Sequence, residues 1–323
     1  VRVLLVDADS TIPNLALMKL STYHKALGDE VRLRQLHIPY YPSRKKKTRR
    51  IPNTHDKVYC SVIFEGTKDW ITGKNIIFGG TGHSLSVELP PEVEALDPDY
   101  SLYPENDTSY GFISRGCIRK CKFCKVPKKE GGIRHVNNVD RIVKHKKVKF
   151  LDNNILALPN HKVILKELVD KKIRCQFNQG LDIRLLDKEN SDLLSQMNYL
   201  GEYIFAFDDW RYLTQIEQKL PLLSWRKPWR LKFFVYCHPD MPLDNVVKRV
   251  EYLRSKQCLP YLMRDIKCWE SEHNPFYVDL ASWCNQPNLI KKMEFSEFLD
   301  KRHLAKNSDK RIETNKSLYY TNT

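Results

Sequence analysis

Cys117, Cys121 and Cys124 stand at C-x3-C-x2-C spacing in the stretch Ser114-Arg-Gly-Cys-Ile-Arg-Lys-Cys-Lys-Phe-Cys124, directly behind a short apolar run. Three thiolates on one tight loop can hold three irons of a cubic 4Fe-4S cluster. Such clusters normally take four cysteines, so the remaining iron is left open to another ligand. The flanking glycines suit a backbone bent round a bound group. Zinc is the competing metal. His135 could complete a Cys3His set, although structural zinc sites usually draw their ligands from two separated pairs, and no second pair with that spacing follows.

The 323-residue chain has nine cysteines, an odd number, scattered outside this loop, and 41% hydrophobic residues, enough for the cores of two domains. It opens on no signal-peptide pattern and has no apolar run long enough to cross a bilayer, which predicts a reducing, cytoplasmic setting. The formal net charge is +15. The cations gather in Arg44-Lys-Lys-Lys-Thr-Arg-Arg50, around the cysteines (Arg119, Lys120, Lys122, Lys125) and in Lys144-His-Lys-Lys-Val-Lys149. Such a surplus favours polyanions through counterion release and makes nucleic acid a candidate substrate or partner. The plain alternative is a set of solvated basic loops.

The elements that must position the cysteines alternate between strand and helix, which predicts an α/β protein. Val1–Val6 reads as a buried parallel strand ending at Asp7, Asn14–Leu27 as a helix, and Val31–Leu36, Lys57–Phe64 and Asn75–Phe78 as further strands, the last running into Gly79, Gly80 and Gly82. Residues 1–88 thus form an N-terminal open Rossmann-like sheet, with Asp7 and the glycine turn at its carboxyl edge. The proline- and acid-rich stretch 89–107 reads as a linker. Residues 108–270 repeat strand and helix through six units: strands at Ser109–Ser114, Val148–Leu151, Ile173–Phe177, Tyr203–Phe207, Leu231–Tyr236 and Pro260–Met263, with helices at Val139–Lys147, Val163–Lys171, Ser191–Met197 and Val246–Ser255. This pattern predicts a partial (β/α)6 TIM-type barrel whose strand ends line one mouth. Residues 271–304 read as a cap, and 305–323 as a polar, disordered tail.

The cysteine loop and this domain order resemble the radical S-adenosylmethionine superfamily, and an α/β domain ahead of the barrel resembles the cobalamin-binding domain of one branch. The resemblance implies a 4Fe-4S cluster on Cys117, Cys121 and Cys124, with S-adenosylmethionine chelating the open iron and cleaved to a 5'-deoxyadenosyl radical by one electron. A reductant such as flavodoxin or ferredoxin would supply that electron. It also implies that Phe123 lies near the adenine and that Asp152, Asn153 and Asn154, at the end of the second barrel strand, meet the cofactor's amino group. The usual Gly-Gly-Glu is absent there. Gln179 and Arg184 follow strand three, and the guanidinium is suited to the cofactor carboxylate. Asp208 after strand four could bind ribose hydroxyls or substrate. Cys237 and His238 are the candidates for hydrogen-atom or proton donation. Each has a bland counterpart: an Asp after a strand is often a helix cap, an Arg beside acids a structural pair. Cobalamin is an open expectation, because His24, His37 and His83 do not sit in the Asp-x-His-x-x-Gly segment that supplies an axial ligand. The remaining alternatives are a methyltransferase or rearrangement enzyme for a small metabolite or lipid, and a non-catalytic iron-sulfur or zinc protein that binds nucleic acid.

Overall fold

The computed structural model describes residues 1–39, 47–303 and 309–322. Arg44, Lys45 and Lys46 of the basic run, and 305–308 and 323 of the expected tail, lie outside the described residues. The chain is α/β and divides into two compact units, Val1–Gly111 with Arg119–Gly132 and Asp140–Lys147, and Phe112–Ile118 with Ile133–Val139 and Val148–Thr323. Among the described residues no helix is long and apolar enough to cross a membrane.

The first unit is built on β1 (Arg2–Asp7), α1 (Leu15–Ala26), β2 (Glu30–Gln35), β3 (Lys57–Ser61) and β4 (Ile76–Gly79), whose strands form one parallel sheet in the order β2-β1-β3-β4. Both faces of β1 are covered. Leu4 and Val6 join Val58, Cys60 and Ile51 on one side, while Val3 and Leu5 pack with Leu17 and Leu20 of α1 on the other. Two-sided burial is why this strand reads as an unbroken apolar run, and each fully buried Val or Leu side chain contributes about 1.5–3 kcal/mol. Asn14 caps α1 by accepting the Leu17 N–H at 3.2 Å.

The stretch expected to be a linker belongs to this unit. Pro91 starts a helical turn (Pro91–Glu94), Val93 is buried against Leu17 and Leu20, and Lys19, Thr22 and Lys25 of α1 hold the Glu94 carbonyl, the Asp97 carbonyl and the Asp99 carboxylate. Proline and acid in 89–107 are the contacts of a packed strap. The helix expected over Val139–Lys147 is a single turn, Val139–Ile142. Ser109 ends it, its hydroxyl oxygen accepting the N–H groups of Lys144 and His145, both at 2.8 Å.

In the second unit five strands alternate with four helices: β5 (Lys147–Phe150), α2 (His161–Asp170), β6 (Cys175–Phe177), α3 (Lys188–Gln196), β7 (Tyr203–Ala206), α4 (Leu213–Lys219), β8 (Leu231–Cys237), α5 (Leu243–Ser255) and β9 (Leu259–Arg264). β5 pairs with β6, and β7 with β8 and β9, all in parallel; isolated parallel bridges at Cys175–Tyr199 and Leu181–Phe205 connect the two sets. Along β8, Leu231, Phe233, Val235 and Cys237 are buried while Lys232, Phe234 and Tyr236 are half-buried, the period-two signature of a strand with one open face.

Beyond the strands, α6 (Asn274–Cys284) buries Trp283 and Phe276 against Phe295 of α7 (Phe295–His303). The expected disordered tail contains instead a helix, α8 (Asp309–Thr321), with Ile312, Asn315 and Tyr319 buried. Its anchor is polar. Arg311 forms a two-pronged pair with the fully buried Asp279 of α6, and Asn315 donates to the same carboxylate at 2.8 Å. A helix docked through a buried ion pair leaves little apolar periodicity to read.

At the end of β4, Gly80 has φ +91° and an added Cβ would stand 2.3 Å from the Val62 carbonyl oxygen, whereas Gly28 (φ +79°) has nothing within 4 Å of that position. Gly80→Ala is therefore expected to cost about 2 kcal/mol or more, and Gly28→Ala about 1 kcal/mol. Equal losses of thermal midpoint in the two variants would refute the close approach.

Candidate cofactor site

The loop of three cysteines begins in the second unit and continues into the first from Arg119. Gly116, at φ +85°, turns the chain into Cys117, a conformation that favours glycine. Ahead of it, Ser114–Arg115 pairs antiparallel with Arg134–His135, placing the exposed His135 opposite Ser114 in register. Among the described residues, no three His, Cys, Asp or Glu side chains converge as a metal-ligand set.

The three residues after β5 take hold of this segment. Asp152, fully buried, accepts the Ser114 N–H (2.5 Å), the Ser114 hydroxyl (2.7 Å) and the Ile113 N–H (3.2 Å). Asn153 Oδ1 accepts the Gly116 N–H at 3.0 Å, and Asn154 Nδ2 donates to Cys117 Sγ at 3.5 Å. The consecutive Asp-Asn-Asn side chains therefore set the path of residues 113–117. Among the described residues Asn154 Oδ1 is buried with no partner, an acceptor beside a cysteine sulfur that a ligand's N–H could satisfy. Burial raises the Asp152 carboxyl to about 6, against the opposing pull of its Ser114 and Ile113 donors.

In the continuation of the loop, Cys124 N–H donates to the Cys121 carbonyl at 3.0 Å and Cys124 Sγ accepts the Val126 N–H at 3.4 Å. N–H groups aimed at sulfur stabilise a thiolate and tune a metal bound to it. Phe123 is 39% exposed, and Lys120, Lys122 and Lys125 are exposed as well, with Lys125 paired to Glu65.

At the carboxyl end of β6, Gln179 is exposed. Arg184 is held in a two-pronged pair with Asp182 (2.7 and 3.1 Å) and lies over the Tyr212 ring at 4.5 Å. Asp182 also accepts the Arg184 N–H at the start of a helical turn, so both bland counterparts, cap and structural pair, are present here. Asp208, after β7, accepts the Tyr236 N–H at 3.3 Å. Burial raises its carboxyl above the ordinary range, while the charge of Arg249 and then of Arg184 pulls the other way.

Arg249 is a residue the sequence reading missed. It is fully buried on α5 and donates to the carbonyls of Phe207 (2.7 Å), Tyr236 (3.0 Å) and Asn245 (2.8 Å). Burial lowers its guanidinium to about 10 despite Asp208. The signal was available: Arg249 falls on the apolar stripe Val246, Val247, Val250, Leu253, where a charge needs a partner.

Cys237 is fully buried, with its Sγ 4.0 Å from Cys268 Sγ, and its thiol is pushed well up by the hydrogen bond to Cys268 and by burial. It is a core thiol, out of reach of a substrate on the open face of β8. His238 is half-buried: its Nδ1 accepts the Asp240 N–H at 3.1 Å and its Nε2 lies 4.0 Å from Asp265. Asp265, beyond the end of β9, accepts the Tyr236 hydroxyl at 2.7 Å. Burial raises its carboxyl, but Tyr236, the Lys267 N–H and His238 together bring it below the ordinary value.

The carboxyl edge of the first unit's sheet is filled by its own chain. Asp7 accepts the Tyr103 hydroxyl at 2.8 Å, and Asp9 accepts the Ile63 and Phe64 N–H groups at 2.8 and 3.0 Å. Gly82 packs against the Phe64 backbone so closely that a Cβ would meet its carbonyl oxygen at 2.4 Å. His24 is buried between Asp29 and Tyr59. The residues at this edge do not fit a cobalamin site.

No protein-family model matches the chain, and no curated protein matches it.

The raised Asp152 value means that the folded chain holds this proton more tightly than the unfolded chain. Its stabilising contribution is present below the ordinary 3.8 and lost as pH rises through about 6. Stability of the parent relative to Asp152→Asn, followed by urea unfolding from about pH 4 to about pH 7, is expected to fall by ~2 kcal/mol at 1.36 kcal/mol per unit. A constant difference across that window would show that the carboxyl titrates normally.

Proposed function

We propose that this chain is a radical S-adenosylmethionine enzyme, an open Rossmann-like sheet followed by a partial (β/α) barrel, acting on a substrate that the cofactor's radical oxidises by hydrogen abstraction. The observation that carries the reading is the Asp152-Asn153-Asn154 clasp: the end of a parallel strand grips the loop bearing Cys117 and leaves one buried amide oxygen unpartnered beside it. The uninterrupted strand-helix alternation from β5 to β9 supports the barrel, and the parallel β2-β1-β3-β4 order supports the open sheet.

A 4Fe-4S cluster held by Cys117, Cys121 and Cys124 would supply the electron that cleaves the cofactor sulfonium. The chemistry of the donor set supports this, since Asn154 Nδ2 donates to Cys117 Sγ and the Val126 N–H to Cys124 Sγ, the kind of contact that tunes a metal-bound cysteine sulfur. Asp152 keeps Ile113 and Ser114 in place, so Cys117 is delivered in one orientation. Asn154 Oδ1 accepts an N–H of the cofactor's ammonium group, which would satisfy its missing hydrogen bond. Arg184, positioned by Asp182 and Tyr212, would meet the cofactor carboxylate. Asp208, near Arg249, would accept ribose hydroxyls. His238, oriented by Asp240 and Asp265, is the proton donor on the open face of β8, and Cys237 has no part in it. An external one-electron reductant is required because a cluster that gives one electron to the sulfonium must be reduced again.

The test is anaerobic reconstitution with iron and sulfide, then reduction with S-adenosylmethionine, followed by electron paramagnetic resonance and 5'-deoxyadenosine assay. Cofactor-perturbed cluster signals and deoxyadenosine are expected in the parent and not in Cys121→Ala. Bound zinc without cluster or cleavage would refute the reading. Asn154→Leu is expected to load a cluster yet bind the cofactor about tenfold more weakly or worse, a hydrogen bond to a charged group being worth ~1.5–3 kcal/mol. Unchanged cofactor affinity in that variant would remove Asn154 from the site.

A further inference from the structure

We infer that the edge of the first unit's sheet is a binding surface for the phosphodiester backbone of a nucleic acid. Between Val31 and His55 the sequence has eight Lys or Arg and no Asp or Glu. Five of these cations are described. Arg32 and Arg34 lie on β2, an edge strand, two residues apart and so on one face. Arg49 and Arg50 form a short parallel pairing with Ile71 and Thr72, and Lys47 precedes them. All five are exposed. Arg34 Nη1 donates to the Arg50 carbonyl at 3.2 Å, which brings the two arginine stretches together. Arg34, Arg50, Pro52 and Asn53 line a hollow of about 450 Å3 beside them.

Within the patch Arg32 is paired to Glu30, and elsewhere in the unit Lys25, Lys125 and Arg141 are paired to Asp99, Glu65 and Asp97. Among the described residues no carboxylate pairs with Arg34, Arg49 or Arg50. Exposed, repeated guanidinium groups suit a polymer of phosphates, which they bind through planar two-pronged contacts and released counterions. A small anion would need a more enclosed pocket. An anionic membrane is disfavoured, because among the described residues none of the large exposed apolar side chains falls between residues 28 and 62. A different account of edge-strand arginines is that they block pairing with another sheet edge, and it predicts no nucleic-acid affinity.

The inference names the substrate class of the proposed enzyme and rests on that reading only for calling the ligand a substrate. Binding is measured on the full chain without a cluster, by fluorescence anisotropy with short labelled single-stranded RNA and DNA of mixed sequence across a salt series. Both are expected to bind, with log affinity falling linearly in log salt. Arg34→Gln/Arg50→Gln should weaken binding alike for all sequences, tenfold or more at low salt, and reduce the slope by about 2, one for each lost phosphate contact. Lys188→Gln/Lys256→Gln, which removes the same charge from exposed positions of the second unit, should leave both unchanged. Equal loss in the two double variants, no loss in the arginine variant, or binding of anionic vesicles in place of oligonucleotides would overturn the inference. A thermal midpoint for the arginine variant equal to that of the parent confirms that folding is intact. Cys121→Ala should bind as the parent does, so failure of the radical chemistry and failure of this surface are separable.

Discussion

A carboxylate removed from water is costly unless it is fully hydrogen-bonded, and the second unit places one, Asp152, at the end of β5 with three donors from a single dipeptide around it. Because those donors are the main chain of Ile113 and Ser114 and the Ser114 hydroxyl, the carboxylate can be satisfied only when that segment lies against the strand end. Asn153 and Asn154 extend the same constraint to Gly116 and Cys117. The position of the first cysteine thus follows from the solvation requirement of a neighbouring strand, and the proposed chemistry depends on that coupling more than on any property of the thiol.

The same logic recurs elsewhere in the molecule. Arg249 is buried and draws the carbonyls of Phe207 and Tyr236 toward one guanidinium, which holds the ends of β7 and β8 in fixed relation. Asp279, buried on α6, is answered by Arg302, Arg311 and Asn315, tying the last helices to the unit. In the first unit Asp7 and Asp9 do the corresponding work for Tyr103 and for residues 63–64. Each is a buried charge whose removal would strand its partners, so these contacts define geometry even where their net contribution to stability is small. Arg34, at the edge of β2, is the opposite case, a charge left in water with no carboxylate partner among the described residues.

Much of the candidate site was legible in the sequence because it is local. The cysteine spacing, the Asp-Asn-Asn triplet after a short apolar strand and the acidic residues after later strands lie within a few residues of the elements that carry them, and the strands show two-sided burial as unbroken apolar runs. The misreadings share a cause. Residues 89–107 and α8 are polar and proline-rich or charged, and they are ordered by contacts with partners distant in sequence: Lys25 for Asp99, Asp279 for Arg311. Cys237 was selected as a reactive thiol from its place after a strand, but strand alternation puts its side chain on the buried face with Val235 and Phe233.

The sequence alone determined the alternation of strand and helix, the three-thiol loop and the excess of positive charge, since hydrophobic period, residue chemistry and net charge are properties of neighbouring residues. Only the tertiary structure decided which polar groups meet. It assigned Asp152 to the main chain of the cysteine loop, paired Arg184 with Asp182 and, among the described residues, left Asn154 Oδ1 without a partner and Arg34 and Arg50 without a counter-ion. Those outcomes depend on desolvation and on distances between residues far apart in the chain, and no local pattern records either.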